Sequence, residues 1–434
     1  RLARYRIAYL TMESGVDENG KDGQWLTLAA FAFHAASNQF LFMDFAPISE
    51  ITKETFGISD GGVNYLYTVS LIASIPSILG AMFFIDSHNW LVSFLGVTST
   101  VAAAWLRFAS VQYRSFGLAI VSSIALGPGV GIIFTGFTEL PSRCFAVEKD
   151  RAIAGAITVQ STFLGWALGS LAVPMLVSSY TTMTTCLLVQ AIAVSLCLPV
   201  FLLGHTSAAN IPLRTESLVE AEYGAGQLRD SAGKKLEVES SVVSSLVSMI
   251  CNTGFALQAN SCALFEAVGF TIPAVQESVL AKEGHSSTNV AAFGFCFIAA
   301  GVVVGLILGE IAPRISNPRQ MVLRLFWSGA AAICMMWFLV YTAEGGKYFT
   351  AFLILMIIGG GCSLGFVGVA LPLVSAALPG KPESHTGGYV GIMAFALAAL
   401  LTQLSTGRQF IVCAIAALSA AIGASLSIPC SEST

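Results

Sequence analysis

Residues 205–241, HTSAANIPLRTESLVEAEYGAGQLRDSAGKKLEVESS, form a long polar stretch within a chain of 434 residues. They carry charges of both signs and few apolar side chains, a composition typical of a flexible linker on one side of a membrane. Long apolar runs lie before and after this stretch. The linker therefore divides the chain into two halves.

The composition places both halves in a lipid bilayer. Hydrophobic residues make up 55% of the chain and charged residues only 11%, whereas soluble domains carry about 25% charged residues. The mean hydropathy is +0.76. A helix needs about 20 apolar residues to cross the hydrocarbon core, and the apolar runs are of that length, unlike the alternating segments of about 10 residues in membrane barrels. The sequence therefore predicts an all-α membrane protein.

Twelve apolar segments are predicted to span the membrane, six on each side of the linker. They lie at approximately 25–48, 63–85, 90–109, 116–139, 152–178, 182–204, 253–279, 288–311, 320–342, 348–376, 388–406 and 409–429. This pattern predicts twelve transmembrane helices in two pseudo-symmetric six-helix halves. The predicted parts are an N-terminal segment (1–24), a first half (25–204), a linker with a surface helix near Leu236–Ile250 (205–252), a second half (253–429) and a tail (430–434).

The distribution of Lys and Arg predicts which side of the membrane the termini occupy. With an even number of spans, both termini lie on the side of the linker, and the loops on that side carry most of the Lys and Arg residues. Arg107 and Arg114 are among the few assigned to the opposite side. Because basic loops stay in the cytosol, we expect cytosolic termini in the plasma membrane, or termini on the equivalent side of an organelle membrane.

Several classes of function find no support in the sequence. The net charge is −4, and no basic stretch suits nucleic-acid binding. The ten cysteines lie mostly in apolar runs without a CxxC pair, which predicts buried thiols rather than a zinc site or disulfides. Neither a nucleophile elbow nor a phosphate-binding loop is present. We therefore expect no enzymatic activity, no metal and no cofactor.

Two carboxylates lie inside predicted spans, where charge is costly and usually marks a substrate or ion path. Asp44 is about one turn from the end of its segment, so it is either a functional residue or a helix-end acid that faces water. Glu266 lies near the middle of the seventh segment, where the functional interpretation fits better. An Asn separated from the acid by five residues, with a Pro beyond it, recurs in Asn38–Asp44–Pro47 and Asn260–Glu266–Pro273.

Aromatic rings share helix faces with polar groups in two spans. Glu266 and Phe270 are four residues apart, and Gln160 and Phe163 are three residues apart, so each pair faces one way. An acid beside aromatic rings suits an organic cation, through charge pairing and cation–π attraction. These four residues are therefore predicted to bind substrate.

The first segment holds further candidates. Phe42 and Asp44 point in nearly opposite directions on a regular helix, so both line one substrate cavity only if the helix is broken near Ala46–Pro47. His34 is either a proton relay or a core histidine with a satisfied hydrogen bond. Glu266 is the other candidate for a proton relay.

Three stretches carry a family resemblance. They are Phe40–Ile48, Leu140–Arg143 leading to Arg151–Ala152, and Gly284–Ser287. With the six-plus-six arrangement they resemble the feline leukaemia virus subgroup C receptor-related transporters, and locally the orphan-like member of that family. This branch of the major facilitator superfamily is associated with haem, choline and ethanolamine transport. The resemblance implies two halves that rock about a central site.

The resemblance also implies positions for binding and gating. The choline cage of the family falls on Phe42, Phe163, Phe270 and Ala396, each of which departs from the choline-type residue. The superfamily's acid between the second and third spans falls on Asp86. At a cytosolic gate, we expect Arg143 to pair with Asp86 or Asp150.

The leading prediction is an alternating-access secondary transporter of a small organic cation, such as a choline- or ethanolamine-like compound. One alternative is a haem or porphyrin carrier, for which His34 is the candidate axial ligand. Another is a transporter-derived structural or receptor subunit of a larger membrane complex. The expected partners are the small-molecule substrate, membrane lipid and, in the last case, other membrane subunits, with no nucleic acid.

Overall fold

The computed structural model describes residues 18–145, 147–208, 241–280, 286–342, 348–378, 381–405 and 410–427. Within these ranges the chain forms α-helices and short 3₁₀ turns and no strand. The helices are α1 Glu18–Phe42, α2 Ser49–Phe56, α3 Asp60–Gln112, α4 Phe116–Ala125, α5 Gly127–Cys144, α6 Glu148–Leu176, α7 Tyr180–Ser195, α8 Cys197–Ala208, α9 Val242–Cys251, α10 Thr253–Leu280, α11 Ser287–Ile311, α12 Pro318–Thr342, α13 Phe349–Gly365, α14 Val367–Ala376, α15 Glu383–Ser405 and α16 Ile411–Leu426.

Eleven stretches among the described residues are long and apolar enough to cross a membrane. They are Gly23–Phe56, Gly61–Ile85, His88–Gln112, Phe116–Cys144, Lys149–Leu176, Tyr180–Gly204, Thr253–Glu277, Asn289–Arg314, Pro318–Thr342, Phe349–Ala376 and Glu383–Ser405. The twelfth predicted segment contains α16, an apolar helix of 16 residues that packs against α10 and α12. The predicted all-α membrane class is confirmed, and we number the spans first to twelfth in this order.

Proline and local backbone geometry decide where the spans break. The first span is broken at residues 43–45, between α1 and a 3₁₀ turn at Ala46–Ile48. Because Pro47 has no N–H and its ring crowds the carbonyl four residues earlier, the helix ends at Phe42, slightly before the predicted break. In α3, His88 has non-helical φ −138° and ψ 42°, which separates the second span from the third. Asp86 lies beside this kink, and its side chain is outside the described ones.

Close packing of backbones holds each half together. In the first half, a Cβ at Gly165 of the fifth span would overlap the carbonyl of Ala36 in the first span. In the second half, a Cβ at Gly360 of the tenth span would overlap the carbonyl of Phe297 in the eighth. Small residues let membrane helices approach in this way. These contacts fix the helix positions around the centre of each half.

The two halves meet along two sets of helices. The fifth span packs on the eighth, and the eleventh packs on α3 and the fourth span. Most of the linker (209–240), the N-terminal residues 1–17 and the tail lie outside the described residues. The helix α9 overlaps the predicted surface helix, and its Val242, Ser245 and Met249 are buried. We call the side of the membrane that holds the linker the linker side, and the opposite side the far side. Odd-numbered spans run from the linker side to the far side.

The outer surface suits a bilayer. Large apolar side chains are exposed along the spans, among them Phe84, Met175, Val189, Val303 and Ile415. Exposed Trp and Tyr residues cluster at span ends, at Trp25, Trp90, Tyr113, Tyr341 and Tyr348, as in the aromatic belts of membrane proteins. The chain is an integral, multi-pass membrane protein.

We expect Gly360→Ala to lower the thermal stability of the purified protein by the equivalent of about 1–3 kcal/mol, because the new methyl group overlaps the Phe297 carbonyl. The matched control is Gly80→Ala, where nothing lies within 4 Å of the added Cβ and the better helix propensity of Ala applies. Thermal unfolding in detergent measures both. Equal stability of the two variants would contradict the close packing of the eighth and tenth spans.

Candidate functional site

Six buried aromatic residues form a continuous cluster where the two halves meet. We define the aromatic cluster as Phe42, Tyr67, Phe163, Trp166, Phe270 and Phe395. The indole of Trp166 lies at its centre, with its ring centroid 4.8 Å from that of Phe270 and 6.3 to 6.5 Å from those of Phe42, Tyr67 and Phe163. Phe395 extends the cluster, 5.6 Å from Phe270.

The cluster joins residues that are far apart in the sequence. Phe42, Tyr67, Phe163 and Trp166 come from the first, second and fifth spans, whereas Phe270 and Phe395 come from the seventh and eleventh. Three of the predicted binding residues, Phe42, Phe163 and Phe270, therefore lie together. Because both halves contribute rings, a molecule held here would contact both halves at once.

The fourth position implied for the cage is wrong by one residue. Ala396 is exposed on the outer face of the eleventh span. Phe395 is fully buried, and its ring contacts that of Phe270. Adjacent residues point about 100° apart on a helix, so only one of the two can face the cluster.

Glu266 is a buried acid beside the cluster. Its side chain is 1% exposed, and Oε1 has no hydrogen-bond partner. It lies one helical turn from Phe270, on the linker side of that ring. An unpaired acid in a low-dielectric interior is costly, so a ligand that supplies hydrogen bonds or positive charge would be stabilised here.

Two other buried polar side chains near the cluster also have unused hydrogen-bonding groups. Neither the amide oxygen nor the amide nitrogen of Gln160 has a partner, and the Trp166 indole nitrogen has none. A Cβ at Gly305 of the eighth span would overlap the Gln160 amide, so this amide lies between the halves. Because buried polar groups are normally paired, these three side chains are candidates for contact with a ligand.

Asp44 is paired inside the first half. It is 1% exposed, which excludes the interpretation as a helix-end acid that faces water, and two side chains of the same half contact its carboxylate. Arg107 Nη1 donates to Oδ2 at 3.1 Å and Gln190 Nε2 to Oδ1 at 2.7 Å. The guanidinium carbon also lies 4.9 Å from the ring centroid of Phe45. Asp44 lies in the break after Phe42, and its carboxylate contacts residues of the third and sixth spans.

Arg107 corrects the assignment of charges to loops. It was placed on the far side of the membrane, yet its side chain is 2% exposed and lies inside the third span. The sequence contained the signal, because Arg107 falls within the predicted segment 90–109. A buried cation needs a buried partner, and Asp44 is an acid near the same end of a neighbouring span.

His34 belongs to a polar network inside the first half. Its Nε2 lies 3.1 Å from Thr100 Oγ1, which also accepts a hydrogen bond from Asn38 at 2.9 Å. The Asn38 amide reaches the Leu126 carbonyl as well, at 3.3 Å. This network ties the first span to the third and fourth. The core interpretation of His34 accounts for these contacts, whereas the relay stays a prediction.

Polar contacts close the linker side of the cluster. Thr138 Oγ1 donates to the Glu383 carbonyl at 2.7 Å, joining the fourth span to the eleventh. Lys149 Nζ lies 3.7 Å from Glu310 Oε1, joining the fifth span to the eighth. Both contacts connect one half to the other, so opening this side requires that they break.

The predicted gate residues lie on the same side. Arg143 forms an ion pair with Glu139 one turn earlier on α5. Asp150 is partly exposed near the start of α6. The pairing of Arg143 with Asp86 or Asp150 stays a prediction.

Two hydrogen bonds between the halves close the far side, and one of them joins two residues of the aromatic cluster. The Tyr67 hydroxyl donates to the Phe270 carbonyl at 3.1 Å. Gln403 Nε2 donates to Thr68 Oγ1 at 2.8 Å. Each bond connects the second span to the other half. The aromatic cluster is therefore enclosed by contacts between the halves on both sides.

Sequence reasoning missed Trp166, Tyr67 and Phe395. Trp166 was within reach, because it lies three residues after Phe163 and shares its helix face. Tyr67 and Phe395 carry no local signal, since only the packing of the second and eleventh spans on the other half brings them to the cluster. Among the described residues, no group of three or more His, Cys, Asp or Glu side chains is placed to hold a metal ion.

Comparisons with known proteins give consistent matches. The family model described as Major Facilitator Superfamily matches residues 27–402. Two solved structures share the fold: a D-xylose-proton symporter, with a TM-score of 0.66, 11% identity and coverage of 94% of this chain and 98% of that one; and the transporter FucP in the outward conformation, with a TM-score of 0.65, 12% identity and coverage of 95% and 100%.

Similar sequences confirm the resemblance predicted from the three stretches. The choline/ethanolamine transporter FLVCR1 of Felis catus is 28% identical over 158 residues, which are 36% of this chain and 28% of that protein. The choline/ethanolamine transporter flvcr2a of Danio rerio is 22% identical over 306 residues, 70% of this chain and 64% of that protein. Solute carrier family 49 member A3 of Xenopus tropicalis is 27% identical over 170 residues, which are 36% of this chain and 34% of that protein. The chain thus spans between about a quarter and two thirds of these relatives.

We expect Arg107→Leu to destabilise the protein by about 3–5 kcal/mol, because it leaves the Asp44 carboxylate buried without its cation. The double variant Asp44→Asn/Arg107→Leu should lose markedly less, since neither charge remains. Arg314→Leu is the control, because its ion pair with Glu310 is exposed and such pairs contribute at most about 1 kcal/mol. Thermal unfolding in detergent compares the three. A double variant as unstable as Arg107→Leu would contradict the pairing.

Proposed function

The chain belongs to the Major Facilitator Superfamily, and on that basis we propose that it carries a small organic cation across the membrane by alternating access. One observation carries the choice of substrate class: the unpaired buried carboxylate of Glu266 lies one turn from an aromatic cluster built by both halves. A cation would gain charge pairing from Glu266 and cation–π attraction from the rings.

The relatives support the same class of substrate. FLVCR1 and flvcr2a are named choline/ethanolamine transporters. Choline and ethanolamine are both small organic cations. The positions that correspond to their cage carry phenylalanine here at Phe42, Phe163 and Phe270. The rings at these positions keep the attraction for a cation, and Glu266 supplies a charge that neutral side chains cannot supply.

In the proposed alternating access, the contacts between the halves break on one side of the membrane while those on the other side hold. To open toward the far side, the halves would separate at Tyr67–Phe270 and Thr68–Gln403 while Lys149–Glu310 and Thr138–Glu383 hold. To open toward the linker side, the two sets exchange roles. Rocking of two rigid halves about a central site produces this exchange.

Coupling to protons is part of the proposal. The Glu266 carboxylate can bind either the cation or a proton, so the two ligands compete for one site. Uniport driven by the gradient of the substrate is the rival. Asp44 is not needed as a second cation site, because Arg107 and Gln190 already occupy its oxygens.

The two alternative functions have less support. A haem carrier would need an axial ligand that faces the site, whereas Nε2 of His34 is engaged with Thr100 inside the first half. A structural or receptor subunit would gain nothing from an unpaired acid at the interface between the halves. Cell-surface or organelle placement, with the termini in the cytosol, remains part of the proposal.

We expect Glu266→Gln to reduce uptake of labelled ethanolamine by at least about tenfold in proteoliposomes, because the loss of a buried charge interaction costs more than about 1.4 kcal/mol. The matched control is Glu54→Gln, an exposed acid in α2, which should transport normally. If Glu266→Gln transports as well as the control, Glu266 does not bind the cation. If the wild type folds normally but transports no organic cation, the result favours the structural or receptor subunit over a transporter.

We expect uptake by the wild type to fall as the external pH is lowered, because protons then compete with the cation for Glu266. Glu266→Gln should lose most of this dependence, since an amide does not titrate. An imposed proton gradient should drive accumulation of substrate beyond its own electrochemical gradient. Accumulation that stops at that limit would favour uniport and leave the cation site in place.

A further inference from the structure

Glu266 and Trp166 carry opposite hydrogen-bonding groups: Glu266 lies one helical turn from Phe270, and Trp166 lies inside the aromatic cluster. An ionised carboxylate only accepts hydrogen bonds, and an indole nitrogen only donates one. Glu266 Oε1 and Trp166 Nε1 are both buried and both without a partner. A bare cation would satisfy the carboxylate and leave the indole N–H unpaired.

The unpaired indole is unusual because of where it lies. Trp166 is 1% exposed, and four rings of the cluster surround it. The other polar side-chain group of the cluster is the Tyr67 hydroxyl, which donates to the Phe270 carbonyl. A buried Trp normally finds an acceptor for its N–H, so the missing acceptor points to the ligand.

We propose that Trp166 is a specificity-determining residue whose indole N–H donates to a hydroxyl oxygen of the transported cation. The proposal rests on the proposed function and, for a choline- or ethanolamine-like cation, places the ammonium group toward Glu266 and the hydroxyl group toward Trp166.

A competing explanation satisfies the indole within the protein. The Trp166 and Phe270 rings meet at 73°, an edge-to-face arrangement, and an N–H directed at a ring face is a weak hydrogen bond. In that case the N–H would not contact the ligand. Removing it would then leave the preference for a hydroxyl group unchanged.

The test compares ligands that differ by one group, using the purified full chain and thermal stabilisation to obtain dissociation constants. We expect the wild type to bind ethanolamine about tenfold more tightly than n-propylamine, which has a methyl group in place of the hydroxyl. In Trp166→Phe the two amines should bind within about twofold of each other, with n-propylamine unaffected. Trp105→Phe is the matched control, since that indole donates to Ser195 at the lipid-facing surface.

A second comparison needs no variant. The compound 2-methoxyethylamine keeps the oxygen acceptor and loses the O–H, so it should bind within about threefold of ethanolamine if Trp166 is the donor. Binding as weak as that of n-propylamine would overturn the proposal, as would a hydroxyl preference that survives in Trp166→Phe. If the wild type binds none of these amines, the proposed function fails as well. If it binds the amines without discriminating between them, only the role of Trp166 fails.

Discussion

A charge inside a bilayer must be paired, and the two buried acids Asp44 and Glu266 differ in whether the protein itself supplies the partner. Asp44 meets this requirement within the first half, through Arg107 and Gln190, and so helps to fix the third and sixth spans against the broken first span. Glu266 does not meet it, because its Oε1 has no partner. Under the proposed function, a cation bound between the halves offsets the cost of that unpaired acid.

The fold was predictable because hydrophobic length and linker position are properties of the sequence itself. Runs of apolar residues marked the spans, and the polar stretch at 205–241 divided them. The break of the first span was also predictable, since Pro47 cannot support the preceding turn. The observed break comes a few residues before the predicted one, so Asp44 lies within it and pairs with Arg107.

The site was only partly predictable. Glu266, Phe270, Phe163 and Gln160 emerged from helix periodicity, because each pair lies on one face of a single helix. Tyr67, Phe395 and the partner of Asp44 depend on which helices pack together across hundreds of residues, and periodicity holds no such information. Arg107 was misassigned because, as a charged residue, it was counted with the loops although it lies inside an apolar segment. A charge within a span calls for a search for its counter-ion before it is counted as a loop residue.

The hydrogen bond from Tyr67 to the Phe270 carbonyl has a consequence for energetics on the two faces of the membrane. Both residues belong to the aromatic cluster, so the far-side closure and one wall of the site are the same structure. On the linker side, the closing contacts involve Thr138, Lys149, Glu310 and Glu383, none of which belongs to the cluster. If the halves rock as proposed, opening toward the far side breaks a bond between two residues of the aromatic cluster, whereas opening toward the linker side breaks contacts that lie outside it. The affinity for the proposed cation would then be lower in the far-open state than in the linker-open state, while the gradients across the membrane alone set the net direction of transport.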